Sequence, residues 1–321
     1  MDSLLRLSII GCGGIARAHL EAIKALPARP VVTVDVDPDR ARQYAVEYGA
    51  ERYGTRIEHA LAGDVDAVIV CLPHHLHCQA VVAAAESGKH VLTEKPMAVS
   101  LHEADVMIAA ARRNGVRLMV GQVLRFRGAN VEARRLIREG RIGEPRNAIR
   151  RRLSRSTGFR SEWASDPARA GGWVLYGYGS HEVDMLLWLL DTHATRVHAQ
   201  ARQTNPYWND YDEVSVQMEL ANGAIATLNH SLNSASGAWD TVLTGTEGSM
   251  LVENERVVVD GQEIVVPMGP AMERQLREFI AAIVEEREPE ASGGSVRRTM
   301  VALEAAKRSI ASGQVVSTEG M

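Results

Sequence analysis

Along the first 120 residues, short apolar runs alternate with stretches whose apolar residues recur every three or four positions. LRLSII (5–10), VVTVDV (31–36), DAVIVCL (66–72), HVLTE (90–94) and VRLMVGQ (116–122) read as strands. Between them ARAHLEAIKAL, PDRARQYAVEYG, LHCQAVVAAAESG and LHEADVMIAAARRNG have helical spacing, the second with Pro38 at its start and Gly49 past its end. Strand and helix in strict turn predict an α/β domain with a doubly wound parallel sheet. The strands show little in–out alternation, as expected when helices cover both faces.

The pattern changes after about residue 122. DEVSVQMEL and AIATLNHSL alternate apolar and polar positions around Asn222-Gly223, a strong hairpin signal. Residues 240–266 carry further short β runs with glycine turns, and helical spacing returns over about 271–287 and 294–312. The expected division is a dinucleotide-binding Rossmann domain over 1–122 and an α+β domain with a mostly antiparallel sheet over 123–321, its closing helices free to pack back on the first.

Composition narrows the class. The 321 residues are 45% hydrophobic and 24% charged, with net charge −4. Such a chain has no electrostatic reason to seek nucleic acid or an anionic membrane. The basic run RNAIRRRLSRSTGFR (146–160) is the local exception and reads as a solvated face. Cys12, Cys71 and Cys78 read as free thiols in a reducing compartment. With no signal-peptide pattern and no apolar run of spanning length, a cytoplasmic protein is expected.

The chemistry begins at IIGCGGIARAHL. Gly11, Gly13 and Ala16 form G-x-G-x-x-A between strand and helix, with Gly14 and Ile15 inside the same turn. Gly11 permits the tight turn, Gly13 lets backbone approach a pyrophosphate, and Ala16 lets helix pack on strand. Asp35 ends the second strand, about 20 residues on, where an acid takes the ribose hydroxyls of NAD and repels a 2′-phosphate. NAD is therefore favoured over NADP, although Arg40 nearby is placed to meet such a phosphate.

Two more strand-end loops face the same crevice. In CLPHHLHCQA, Leu72, Pro73 and His77 are candidates to line the cofactor. The histidines lack an acid to complete a metal set, and no metal is expected. In VLTEKPMAVS, Glu94 and Lys95 precede Pro96, whose peptide bond is a candidate for cis. A lysine desolvated beside a nicotinamide cation has a lowered pKa and becomes a proton donor.

Together GCGGIA, Asp35, CLPHHLH, EKP and GYGSHEVD resemble the Gfo/Idh/MocA oxidoreductases, which include glucose–fructose oxidoreductase and inositol dehydrogenase. The resemblance covers essentially the whole chain. It implies hydride transfer between NAD(P) and a sugar, cyclitol or related polyol. It also implies a large open sheet in the second domain that often forms the interface of a homodimer or homotetramer. The family's motif lysine falls on Lys95, and its motif histidine and final aspartate fall on His181 and Asp184. Trp173 stands where a third glycine is common. Gly177 stands where an aspartate four residues before the histidine is common, which reduces a triad to a pair.

His181 and Asp184 are i,i+3 in a helix expected to start at about Ser180, so Asp184 is placed to orient the imidazole. Gly177 between Tyr176 and Tyr178 suggests an altered pocket and a bulkier or anionic substrate. Arg125 and Trp163 are further substrate candidates. The leading expectation is a dehydrogenase in which His181 takes the hydroxyl proton and Lys95 stabilises the alkoxide. The alternatives are an NAD(P)-binding sensor without turnover and a redox-neutral, NAD-assisted reaction.

Overall fold

A computed structural model describes residues 4–159, 161–266 and 269–321. Arg160, the last residue of the basic run, and Met1–Ser3 of the leader reading lie outside them. The chain divides into two compact units. The first comprises residues up to Ala98, His102–Val123 and Pro270–Val296; the second comprises Val99–Leu101, Leu124–Gly269 and Arg297–Met321.

The first unit follows the alternating pattern: β1 (Leu5–Ile10), α1 (Gly14–Ile23), β2 (Ala28–Val34), α2 (Pro38–Tyr48), β3 (Arg52–Gly54), α3 (Ile57–Ala60), β4 (Ala67–Val70), α4 (His77–Glu86), β5 (His90–Thr93), α5 (Leu101–Arg113) and β6 (Leu118–Val120). The strands pair in parallel in the order β3-β2-β1-β4-β5-β6. The order reverses between β1 and β4, where a doubly wound sheet opens its ligand crevice. β4 is buried along its whole length, which explains its unbroken apolar run. At α2 the expected punctuation is present: Pro38 at the first turn, Asp37 accepting from the Asp39 and Arg40 amides, and Gly49 left-handed at the end.

The second unit contains α6 (Gly128–Arg138), β7 (Pro145–Arg155), α7 (Pro167–Ala170), α8 (Gly179–Leu189), β8 (Ala194–Arg202), β9 (Glu213–Leu220), β10 (Ile225–Ser231), β11 (Asn233–Gly245), β12 (Ser249–Val252), β13 (Val257–Val259) and β14 (Gln262–Ile264). Then come α9 (Ala271–Val284), which packs against α1 in the first unit, α10 (Gly293–Ser312) and β15 (Val316–Ser317). Residues 270–296 thus return to the first unit rather than staying with the second region.

The second sheet has nine strands in the order β14-β13-β12-β11-β7-β10-β9-β8-β15, antiparallel except between β7 and β10. In β9 every second residue is buried, the signature of a sheet covered on one face. α8 lies against β7 and β10 on the covered side.

The basic run does not behave as a uniform solvated face. β7 passes through it, and the two-residue period of a strand turns Arg150 inward, 4% exposed, while Arg151 and Arg155 stay outside.

Candidate active site

The glycine loop follows β1. Gly11 sits at φ +91°, and a Cβ there would meet the Cys71 carbonyl oxygen at 2.5 Å. Glycine is required on both counts. Leu72 lies against the same position, so the loops after β1 and β4 touch. Gly13 and Gly14 face open space. Gly13 caps α1, and no side chain satisfies the amides there. Free amides at a helix N-terminus beside space that a Cβ would fill suit an anionic pyrophosphate. Ala16 is fully buried in the strand–helix contact, and Ile15 stays exposed on the loop side. Asp35 is held at the end of β2, accepting from the amides of Cys12 at 2.8 Å and Asp37 at 3.0 Å. Arg40 is drawn to these acids, 3.3 Å from Asp37 and 3.7 Å from Asp35.

In the loop after β5 the Lys95–Pro96 peptide is cis, and Lys95 is only part-buried. Glu94 turns inward. Its Oε1 meets His19 Nε2 at 2.8 Å and its Oε2 accepts from the Lys95 amide at 3.2 Å. Burial pushes this carboxyl up, but the hydrogen bond and charge of His19, together with Lys95, bring it below the usual range. His77 is fully buried, with Nδ1 2.9 Å from the Pro96 carbonyl and Nε2 2.8 Å from that of Leu72. Burial lowers its pKa against the pull of these two carbonyls. A neutral ring donates to one carbonyl at a time. His77 and Glu94, both expected at the cofactor, are therefore ties beneath the loops. Leu72 and Pro73 remain part-exposed on them.

In the second unit the residues before α8 form a π-helical turn, Trp173–Tyr178, so α8 starts at Gly179, one residue before the expected Ser180. Such turns recur at functional sites. Of the 11 residues of α8, ten are buried; His181 is the part-exposed one. Asp184 accepts from Arg125 Nε at 2.7 Å and Nη2 at 2.6 Å, and from Thr299 Oγ1 at 2.9 Å. Arg125 is 1% exposed. The i,i+3 spacing suggested an acid for the imidazole, but these bonds commit both carboxylate oxygens to an arginine, expected at the substrate, that is itself buried. Tyr176 is likewise core, fully buried with its hydroxyl 3.4 Å from Glu304. Burial, then Glu304, holds this phenol well above its ordinary pKa, which removes it as a substrate residue. Tyr178 and Trp163 are part-exposed and both stack edge-on against Trp173, at 5.7 and 5.6 Å.

Comparison with known proteins bears on the family and the fold. Residues 5–122 match an oxidoreductase-family model with an NAD-binding Rossmann fold, and residues 130–251 match the Gfo/Idh/MocA C-terminal domain. The chain belongs to the Gfo/Idh/MocA oxidoreductase family. Among its relatives, 1,5-anhydro-D-fructose reductase of Ensifer adhaerens is 29% identical, covering 98% of both chains. The 4-carboxy-2-hydroxymuconate-6-semialdehyde dehydrogenase of Sphingobium sp. is 28% identical over 90% of this chain and 93% of its own. A levoglucosan dehydrogenase solved with NADH and levoglucosan shares the fold, with TM-score 0.92 and 23% identity over 98% of this chain and 99% of that one.

This Gfo/Idh/MocA chain is thus an oxidoreductase with an NAD-binding first domain and a small-molecule substrate. Among the described residues, no helix is long and apolar enough to cross a membrane. Sequence reasoning passed over one group of side chains. Arg150 donates to Glu182 and, at 2.8 Å, to Thr241 Oγ1; Arg152 reaches Glu182 at 3.4 Å. Arg127, Arg150 and Arg152 stand 4.3, 5.8 and 4.4 Å from the ring centre of Trp239. His230 packs on Tyr178 at 5.0 Å. The missed signal was the strand period inside the basic run, which singles out alternate arginines.

Proposed function

We propose that this enzyme catalyses the reversible oxidation of a secondary alcohol of a sugar, cyclitol or related polyol, and that it prefers NAD to NADP. The observation that carries the reading is the open, uncapped glycine turn at α1 with Asp35 fastened beside it, in a chain whose relatives include a reductase of an anhydro-sugar. NAD, when bound, supplies the hydride acceptor. The amides of Gly13, Gly14 and Ile15 hold its pyrophosphate, and Asp35 takes the ribose hydroxyls. Arg40, already paired with two acids, is poorly disposed toward a 2′-phosphate.

His181 accepts the hydroxyl proton, and the Lys95 ammonium stabilises the alkoxide that forms. Asp184 serves by holding Arg125 and the middle of α8 in place. The enzyme works in the cytoplasm as a homodimer or homotetramer.

The test follows NADH absorbance with NAD and a panel of sugars, inositols and sugar acids. A substrate-dependent rise is expected, with kcat lowered by about 10²-fold or more in Lys95→Ala and in His181→Ala. Wild-type turnover by Lys95→Ala at saturating substrate refutes the assignment. Tight NAD binding without turnover on any compound points to a sensor, and product without NADH points to a redox-neutral reaction.

A further inference from the structure

We infer that the substrate carries a carboxylate, held by Arg152 with His230 beside it, so that the enzyme prefers sugar acids to the corresponding neutral sugars. The inference deepens the dehydrogenase reading and rests on it. It starts from hydrogen bonds that are not made. Arg150 and Arg152 are two apart on β7 and point to the same side. Arg150 is consumed by Glu182 and Thr241. Arg152 makes one long bond to Glu182, at 3.4 Å, and its Nε is buried without a partner. Its guanidinium lies 4.7 Å from the ring centre of Tyr178 and 4.4 Å from that of Trp239, and its side chain remains 23% exposed. Two aromatic rings hold the plane, and the donor edge has little to bind. A planar fork of this kind matches a carboxylate.

His230 is the register partner of Arg152 across β10 and β7. It is 2% exposed, and neither ring nitrogen has a hydrogen-bond partner. A buried polar pair left incomplete in this way calls for a ligand. Burial, then the charge of Arg152, keeps His230 neutral, so it offers one donor and one acceptor to a substrate oxygen.

The local charge has the matching sign. Three arginines converge on Trp239, and Glu182 is the carboxylate hydrogen-bonded within the group. Arg127 shows the surplus: burial, then Arg150 and Arg152, pull its pKa down against Glu182 and Glu255. Arg152 and Trp239 also line a cleft of about 870 Å³. Of the three acids of that cleft, Asp240 is paired with Arg151 and Glu253 with Arg256, and Glu255 stands against the charge of Arg127. Tyr178 and Glu182 stand three residues before and one after His181, which ties this group to the proposed base.

The experiment compares matched pairs with NAD: D-glucuronate against D-glucose and D-galacturonate against D-galactose, with glucose 6-phosphate as a second anion. In wild type the acid is expected to exceed its neutral partner in kcat/KM by about tenfold or more. Arg152→Gln is expected to collapse that ratio through KM, and Arg152→Lys, which keeps the charge without the fork, to recover part of it. Equal rates on acid and neutral sugar, a preference for the phosphate, or an unchanged ratio in Arg152→Gln overturns the inference. If no compound yields NADH, the dehydrogenase reading fails on its own, and binding decides this one. A melting-temperature rise of the NADH-bound protein with glucuronate but not glucose, lost in Arg152→Gln and partly kept in Arg152→Lys, upholds it. No acid-specific rise overturns it.

Discussion

His77 and His230 are both buried histidines whose pKa is lowered, and there the likeness ends. His77 sits between two carbonyls and ties the loop after β4 to the Lys95–Pro96 turn. His230 has no hydrogen-bond partner on either nitrogen. His77 is spent on holding loops in place. His230, with Arg152 beside it, keeps capacity to bind. Burial alone does not separate a structural histidine from a ligand-seeking one; the list of partners does.

The contrast can be broken most severely where partnering is most complete. Asp184→Ala leaves the Arg125 guanidinium buried without its carboxylate, and denaturant unfolding is expected to show a loss of about 3–5 kcal/mol. A loss below about 1 kcal/mol would mean that the pair is not the structural tie described here. His77→Phe keeps the ring volume but leaves a carbonyl without its donor, an expected loss of about 1–3 kcal/mol on the same measurement. Weaker NAD binding by calorimetry should accompany it, because the loop after β4 lies against Gly11 in the glycine turn.

The smallest effects belong to His230 and sharpen the comparison from the other side. Its folded-state pKa is pushed down to about 3 by burial and then by Arg152. An unfolded histidine titrates near 6.5. Between those values the unfolded chain binds the extra proton, so the stability is fully present above about 6.5 and is lost as pH falls toward 3. His230→Phe should remove that part of the acid sensitivity, at most about 1.4 kcal/mol per pH unit. At pH 8 it should leave the melting temperature unchanged or raise it, since replacing an unpartnered polar ring by an apolar one of similar shape costs little. A clear loss at pH 8 would reveal a partner for the imidazole.

What was legible in the chain follows the range of the interaction that sets it. The Rossmann order, the Asn-Gly hairpin and the caps of α2 come from neighbours in sequence, and they were readable. Gly11 was readable too, because its turn imposes a positive φ wherever the motif occurs. The partners of Asp184, Glu94 and Glu182 were not. Helical spacing showed which residues share a face with Asp184, but Arg125 and Thr299 arrive from distant parts of the chain. The arginine run looked like surface because charge was counted without period. Once β7 is known, alternate positions separate Arg150 and Arg152 from Arg151.

α8 offers His181 almost alone to its surroundings, with every other residue packed. That leaves little freedom to alter the helix around His181, because a new side chain there must displace a neighbour. On the strands facing it, Arg152 and Trp239 are only part-buried and meet Glu182 of the helix by their tips. A change of substrate is therefore best sought on the sheet: the helix is packed too closely to be altered one residue at a time, and the part-buried side chains of the strands are the ones a protein engineer is free to rewrite.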